Sequence, residues 1–257
     1  MTPLIELKSV DLVYPVYSVR AQSLRNVIAN LTVGGKLLRD GSDIIHIQAL
    51  KQINFSLEEN DRLGVIGHNG AGKTTLLKVV AGIYEPTRGS ININGNISSM
   101  IDVSMGLDPN MTGRENIVHI GKMRGLSTKH ILDNMEEIIS FSDLGTYIDM
   151  PVKIFSSGMQ SRLVFAVVTT LNPDILLLDE WLSAGDAAFI DKAKKRIDSL
   201  VDKARGLVLA SHSTSLIEAT CNKLLVLNGG EQVYFGDVNK WDFELAAPKP
   251  QLATLIP

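Results

Sequence analysis

The chain has 257 residues, with 25 basic and 28 acidic side chains for a net charge of −3, and 45% of it is hydrophobic. That length suits one large α/β domain, while the charge balance gives no electrostatic reason to expect a nucleic-acid binder, and the lone Cys221 excludes an internal disulfide. No run approaches the roughly 18 continuous apolar residues that span a bilayer, and "MTPLIELKSVDLVY" lacks the charged head and apolar stretch of a signal peptide.

In chain order, "LIELKSVDLVY" and "ALKQINFSL" (49–57) alternate as strands do. Between them, Leu24, Val27, Ile28 and Leu31 fall at helical spacing. "RLGVIG" (62–67) predicts a short buried strand, a glycine-rich loop follows, and "KTTLLKVVAG" predicts a helix. "EPTRGSININGNISSMI" predicts a hairpin that turns at Asn94-Gly95. Residues 112–145 change to helical periodicity, opened by a capping box of Thr112 and Glu115. "DILLLDE" (174–180) is a strand, 187–204 a charged helix, "GLVLASH" (206–212) a strand and "KLLVLNGGEQVYFGD" (223–237) a second hairpin. The tail from Trp241 carries three prolines and little pattern. The expected organisation is one α/β domain over 1–240 with a helical insertion at about 112–171, then a short tail at 241–257.

"GHNGAGKT" (67–74) completes the pattern G-x-x-x-x-G-K-[ST] between a buried strand and a helix. Small residues let successive N–H groups curl round a triphosphate, and the helix N-terminus adds partial positive charge. The expected contacts are Gly67, His68, Asn69, Gly70, Ala71, Gly72, Lys73, Thr74 and Thr75. Lys73 should reach the β- and γ-phosphates and the Thr74 hydroxyl should ligate Mg²⁺. An apolar run ending in Asp-Glu is, alone, a strand entering a loop. Downstream of a complete phosphate loop, Asp179 suits a hold on Mg²⁺ and Glu180 a base that prepares the attacking water. His212 ends its own strand, where a contact to the γ-phosphate competes with an unremarkable surface role. No N-K-x-D motif for reading guanine occurs.

The order of phosphate loop, helical insertion, serine-glycine turn, acidic strand and histidine resembles that of the ATP-binding-cassette ATPases over nearly the whole chain. The resemblance implies a P-loop fold with a RecA-like core, an N-terminal antiparallel β subdomain and a helical subdomain. "FSSGMQ" (155–160), by itself an ordinary cap, stands where that family carries its signature. There Ser156, Ser157, Gly158 and Met159 are expected to close over the γ-phosphate bound by a partner subunit. A head-to-tail homodimer around two ATPs follows, with "LSAGD" (182–186) linking the sites through Asp186.

Ser157 and Met159 depart from the family's usual glycine and glutamine. With "MTGRENI" and "DEWLSAGDAAF" they resemble the ATP-binding subunits of bacterial polysaccharide exporters of the O-antigen, capsule and teichoic-acid type. The loop after the first hairpin has no glutamine; its carboxylate, Asp102, is expected to meet Mg²⁺ through a bridging water. Tyr14 is the candidate to stack on adenine and Tyr17 its rival, while 16–48 either docks on a membrane or membrane subunit or covers a sheet edge.

The expectation is an ATPase with ATP and Mg²⁺ as cofactors, at the cytoplasmic face of the inner membrane. It would pair with a separate integral membrane subunit in two copies and move a lipid-linked glycan, with no nucleic acid and no carbohydrate-binding domain of its own. The alternatives are a transporter ATPase for a lipid, drug or metabolite, or a soluble cassette that does not transport. "SSGM" with "GDAAF" favours glycan export.

Overall fold

The computed structural model describes residues 2–16, 36–39, 45–100, 106–170, 173–179 and 187–243. Two compact units form, one from Met1–Asn96, Leu177–Glu180 and Arg205–Pro257, the other from Ile97–Leu176 and Trp181–Ala204.

The first unit is built on a sheet. β1 (Ile5–Val16) runs antiparallel to β3 (Ile45–Leu57), and the short β2 (Lys36–Arg39) pairs with the other edge of β3. The helical spacing of Leu24 to Leu31 lies outside the described residues. Bulges at Ser9 and Gln52, with φ of 48° and 51°, break the alternation. β5 (Arg88–Ile93) pairs with β1, not with the strand after Asn94-Gly95, so the first expected hairpin does not form. The free edge of β1 competes better than a local turn. Asn94 is drawn to it, its N–H donating to Leu4 O and its amide to Pro3 O.

β4 (Arg62–Ile66) lies between β8 (Gly206–Ala210) and β9 (Lys223–Asn228), parallel to both. Their runs of buried Leu, Val and Ile are what a strand covered on both faces requires. β9 turns through Gly229-Gly230 (φ 56° and 83°) into antiparallel β10 (Glu231–Asp237), the second hairpin as expected. β10 touches β3 at Glu231 and Lys51, and β7 (Ile175–Asp179) flanks β8. α1 (Lys73–Val80), which follows the glycine loop, packs on β8 and β3, and α7 (Thr214–Thr220), which follows β8, packs on β4. A Cβ on Gly64 would sit 2.5 Å from Ile217 of α7, so the crossing needs glycine. Cys221 is buried beside it, and that burial pushes its thiol up to about 12 against the opposing pull of Arg62.

The second unit holds β6 (Ile97–Met100) and five helices among the described residues: α2 (Gly113–Met123), α3 (Thr128–Asp133), α4 (Met135–Ser142), α5 (Ser157–Val168) and α6 (Ala187–Lys203). Its core centres on Phe141, Phe165 and Phe189, one from each of α4, α5 and α6, with ring centroids 5.8 to 5.9 Å apart. Lys192 and Arg196 lie over Phe141, and Arg196 also pairs with Glu137.

"MTGREN" is the clasp of this unit. Thr112 and Glu115 form the expected capping box, and the N–H of Thr112 holds the Glu115 carboxyl below its usual range. A Cβ on Gly113 would lie 2.8 Å from Ile148 O, and Arg114 pairs with Asp149 at 2.9 Å. Asn116 is fully buried; its amide donates to Asp108 O and Thr112 O and its oxygen accepts from Asp108 N–H. Replacing it takes the acceptor from Asp108 N–H and one of two donors from each of Asp108 O and Thr112 O. Asn116→Ala should therefore lower the unfolding free energy by about 1–3 kcal/mol, read as a lower urea midpoint at unchanged slope; an unchanged midpoint would contradict the clasp.

Candidate functional site

The loop between β4 and α1 is shaped by lack of room behind it. A Cβ on Gly67 would lie 2.5 Å from Leu227 O and 2.7 Å from the Ala71 methyl. Gly70 and Gly72 take φ of 79° and 105°, which side-chain-bearing residues rarely adopt. Ala71 N–H closes a turn on His68 O, and Gly230 N–H donates to Ala71 O from the β9–β10 turn. His68 spans Asn69 O and Asn228 Oδ1 with its two ring nitrogens. The hairpin turn thus braces the loop from behind, a role its Asn-Gly-Gly letters signal only as a turn.

α1 starts at Gly72 with no side-chain cap and no acidic residue in its first turn, so its N-terminal donors and dipole are available to an anion. Lys73 is only 7% exposed, and its ammonium donates to Gly67 O at 2.9 Å and His68 O at 3.3 Å. It also meets His212 Nε2 at 3.2 Å. The two residues stand 139 positions apart in sequence; the parallel pairing of β4 with β8 unites them.

Asp179 ends β7, and Thr74 is exposed in the first turn of α1. A hydroxyl and a carboxylate are hard oxygen donors that suit Mg²⁺ beside a polyphosphate, and this donor set fits that ion. Glu180, Asp102, Asp186 and Tyr17 lie outside the described residues. Tyr14 reaches α1 from β1, hydrogen-bonded to Thr75 and set edge-on to Tyr84 at 5.4 Å. Burial pushes its phenol up, while the Thr75 bond pulls the other way. Tyr84 lies in a stretch whose letters carry no site signal, and sequence reasoning misses it.

In the second unit Ser156 caps α5 as expected, its hydroxyl accepting from Met159 N–H at 3.2 Å. Ser156 and Ser157 are exposed, and from Leu163 onward the helix is buried all round. A rigid apolar anchor thus carries a solvent-facing polar turn.

The pattern of the ABC transporter family matches residues 50–183. The O-antigen export system ATP-binding protein RfbE of Yersinia enterocolitica is 40% identical over 230 residues, which are 90% of this chain and 96% of the relative. The teichoic acids export ATP-binding protein TagH of Lactococcus lactis is 42% identical over 188 residues, 73% of this chain but only 40% of the relative. The O-antigen export protein RfbB of Myxococcus xanthus is 41% identical and likewise longer, with 44% of it covered. Among solved structures, the ATP-binding subunit of an ABC transporter aligns at a TM-score of 0.68 and 20% identity over 92% of this chain and 90% of the other. A dimeric ATP-binding cassette in a post-hydrolysis state with ADP and Pi aligns at 0.66 and 19% over 92% and 100%. These two likenesses establish the fold.

The expected role of Lys73 is a charge-assisted hydrogen bond to phosphate. Lys73→Ala should weaken ATP binding about 10- to 150-fold by calorimetry; unchanged affinity would remove the loop from the site.

Proposed function

This chain belongs to the ABC transporter family, and we propose that it is the ATP-hydrolysing subunit of an exporter of lipid-linked polysaccharide. The observation that carries the reading is the phosphate loop with Lys73 at His212, within a chain that matches an O-antigen export ATP-binding protein along 96% of that protein's length.

In this reading Gly67 to Thr75 bind the triphosphate through backbone donors and Lys73, and Tyr14 stacks on adenine. The Thr74 hydroxyl would ligate Mg²⁺, Asp179 would hold it directly or through water, and Asp102 would join through a water. Mg²⁺ would neutralise charge on the phosphate oxygens. Glu180 takes the proton of the attacking water and His212 fixes the γ-phosphate. Two copies meet head to tail, so that Ser156 to Met159 of each cover the ATP of the other. Ser156 can keep its cap while its own O–H donates to phosphate, because a hydroxyl accepts and donates at once.

Closing on ATP and reopening after hydrolysis would drive a separate integral membrane subunit, present in two copies. No helix of the described residues is long and apolar enough to cross a membrane. As the ATP-binding subunit of an export system, the chain would act peripherally at the cytoplasmic face of the inner membrane, with a lipid-linked glycan as cargo.

Glu180→Gln in place of the native protein should trap the ATP-bound dimer. Extraction of lipid-linked glycans should then find a long polymer retained inside and its surface form lost. Unchanged glycans with abolished ATP hydrolysis would keep the ATPase and overturn the cargo.

A further inference from the structure

We propose that Tyr84 is a positioning residue for nucleotide-base binding, holding Tyr14 in the orientation that receives the base. The inference rests on the reading that Tyr14 stacks on adenine, and deepens it by naming what sets that ring's angle.

The segment carrying Tyr84 is fastened at both ends. After α1, Gly82 takes φ of 71°, and the N–H groups of Ile83 and Tyr84 both donate to Lys78 O at 2.9 and 3.3 Å. Three residues on, Thr87 ties back to β1, its N–H and hydroxyl both donating to Asp11 O. Asp11 itself is buried and lies three residues before Tyr14 on the same strand. The two tyrosines therefore share a frame made of β1 and the end of α1.

Within that frame the rings meet at 75°, centroids 5.4 Å apart, the edge-to-face geometry that aromatic quadrupoles favour. Lys78 Nζ stands 5.7 Å from the Tyr84 ring centre. Thr75 and Lys78 are three apart on α1 and so share a face, one engaging Tyr14 and the other Tyr84. An unsupported tyrosine at the end of a strand would sample several χ1 wells and lose that freedom only on binding a base. Tyr84 removes the freedom beforehand. The Tyr14 hydroxyl is engaged by the side chains of both Thr75 and Tyr84.

The test compares ATP with inorganic tripolyphosphate, which shares the phosphates and lacks the base, by calorimetry on the full chain. Tyr84→Ala should weaken ATP about 2- to 10-fold, the range of an aromatic pair, and leave tripolyphosphate unchanged. Tyr84→Phe, which keeps the ring and loses only the hydroxyl's bond to Tyr14, should restore part of the ATP affinity. Equal loss of both ligands would overturn the proposal, because Tyr84 would then support α1 as a whole. Loss in Tyr14→Ala without loss in Tyr84→Ala would overturn it alone. No loss in Tyr14→Ala would overturn the stacking reading and this inference with it.

Discussion

The site depends on one close approach, that of the Gly67–Gly72 loop against the β9–β10 turn. Leu227 O stands where a Gly67 side chain would begin, and Ala71 O is held by Gly230 N–H. Gly230 is itself pressed on β3, where a Cβ would lie 2.5 Å from Ala49 O. Three strands thus converge behind a loop that has no side chain to offer there. A backbone so braced cannot collapse inward, and its donors are already arranged when an anion arrives. Pre-organisation of that kind is where electrostatic stabilisation gains most, since little reorganisation is left for the moment of reaction.

The two units solve different problems. The first places charge: Lys73, His212 and Asp179 are delivered by β4, β8 and β7, strands too apolar to tolerate polar groups anywhere but their ends. The second places a turn. Its Phe141, Phe165 and Phe189 core fixes α5, and α5 fixes the Ser156 cap at its N-terminus. "MTGREN", which helps to single out the exporter group, works within its own unit. Thr112, Arg114, Glu115 and Asn116 direct their hydrogen bonds to Asp108, Asp149 and each other. A motif that looks functional in sequence is here a device for folding a loop onto a helix.

Much of this was legible because the signals are local. The phosphate loop, the Thr112 and Ser156 caps and the Gly229-Gly230 hairpin each follow from a few adjacent letters whose physics is short-range. What was not legible is pairing over distance. Asn94-Gly95 reads as a hairpin, yet β5 pairs with β1, because an open strand edge offers more hydrogen bonds than a local turn. Tyr84 carried no pattern, and only the frame of β1 and α1 brings it to Tyr14. Likewise the brace from Asn228 and Gly230 needed the sheet order to become visible.

The central claim is that ATP is hydrolysed where the ends of β4 and β8 meet, with Lys73 and His212 facing one another. Steady-state phosphate release from MgATP by the wild-type chain and by His212→Ala tests it most directly. The expected result is a wild-type rate that falls about 100-fold or more in kcat for the variant, the usual cost of losing a group that acts on the developing charge, with KM for ATP changed far less. Full turnover by His212→Ala would contradict it.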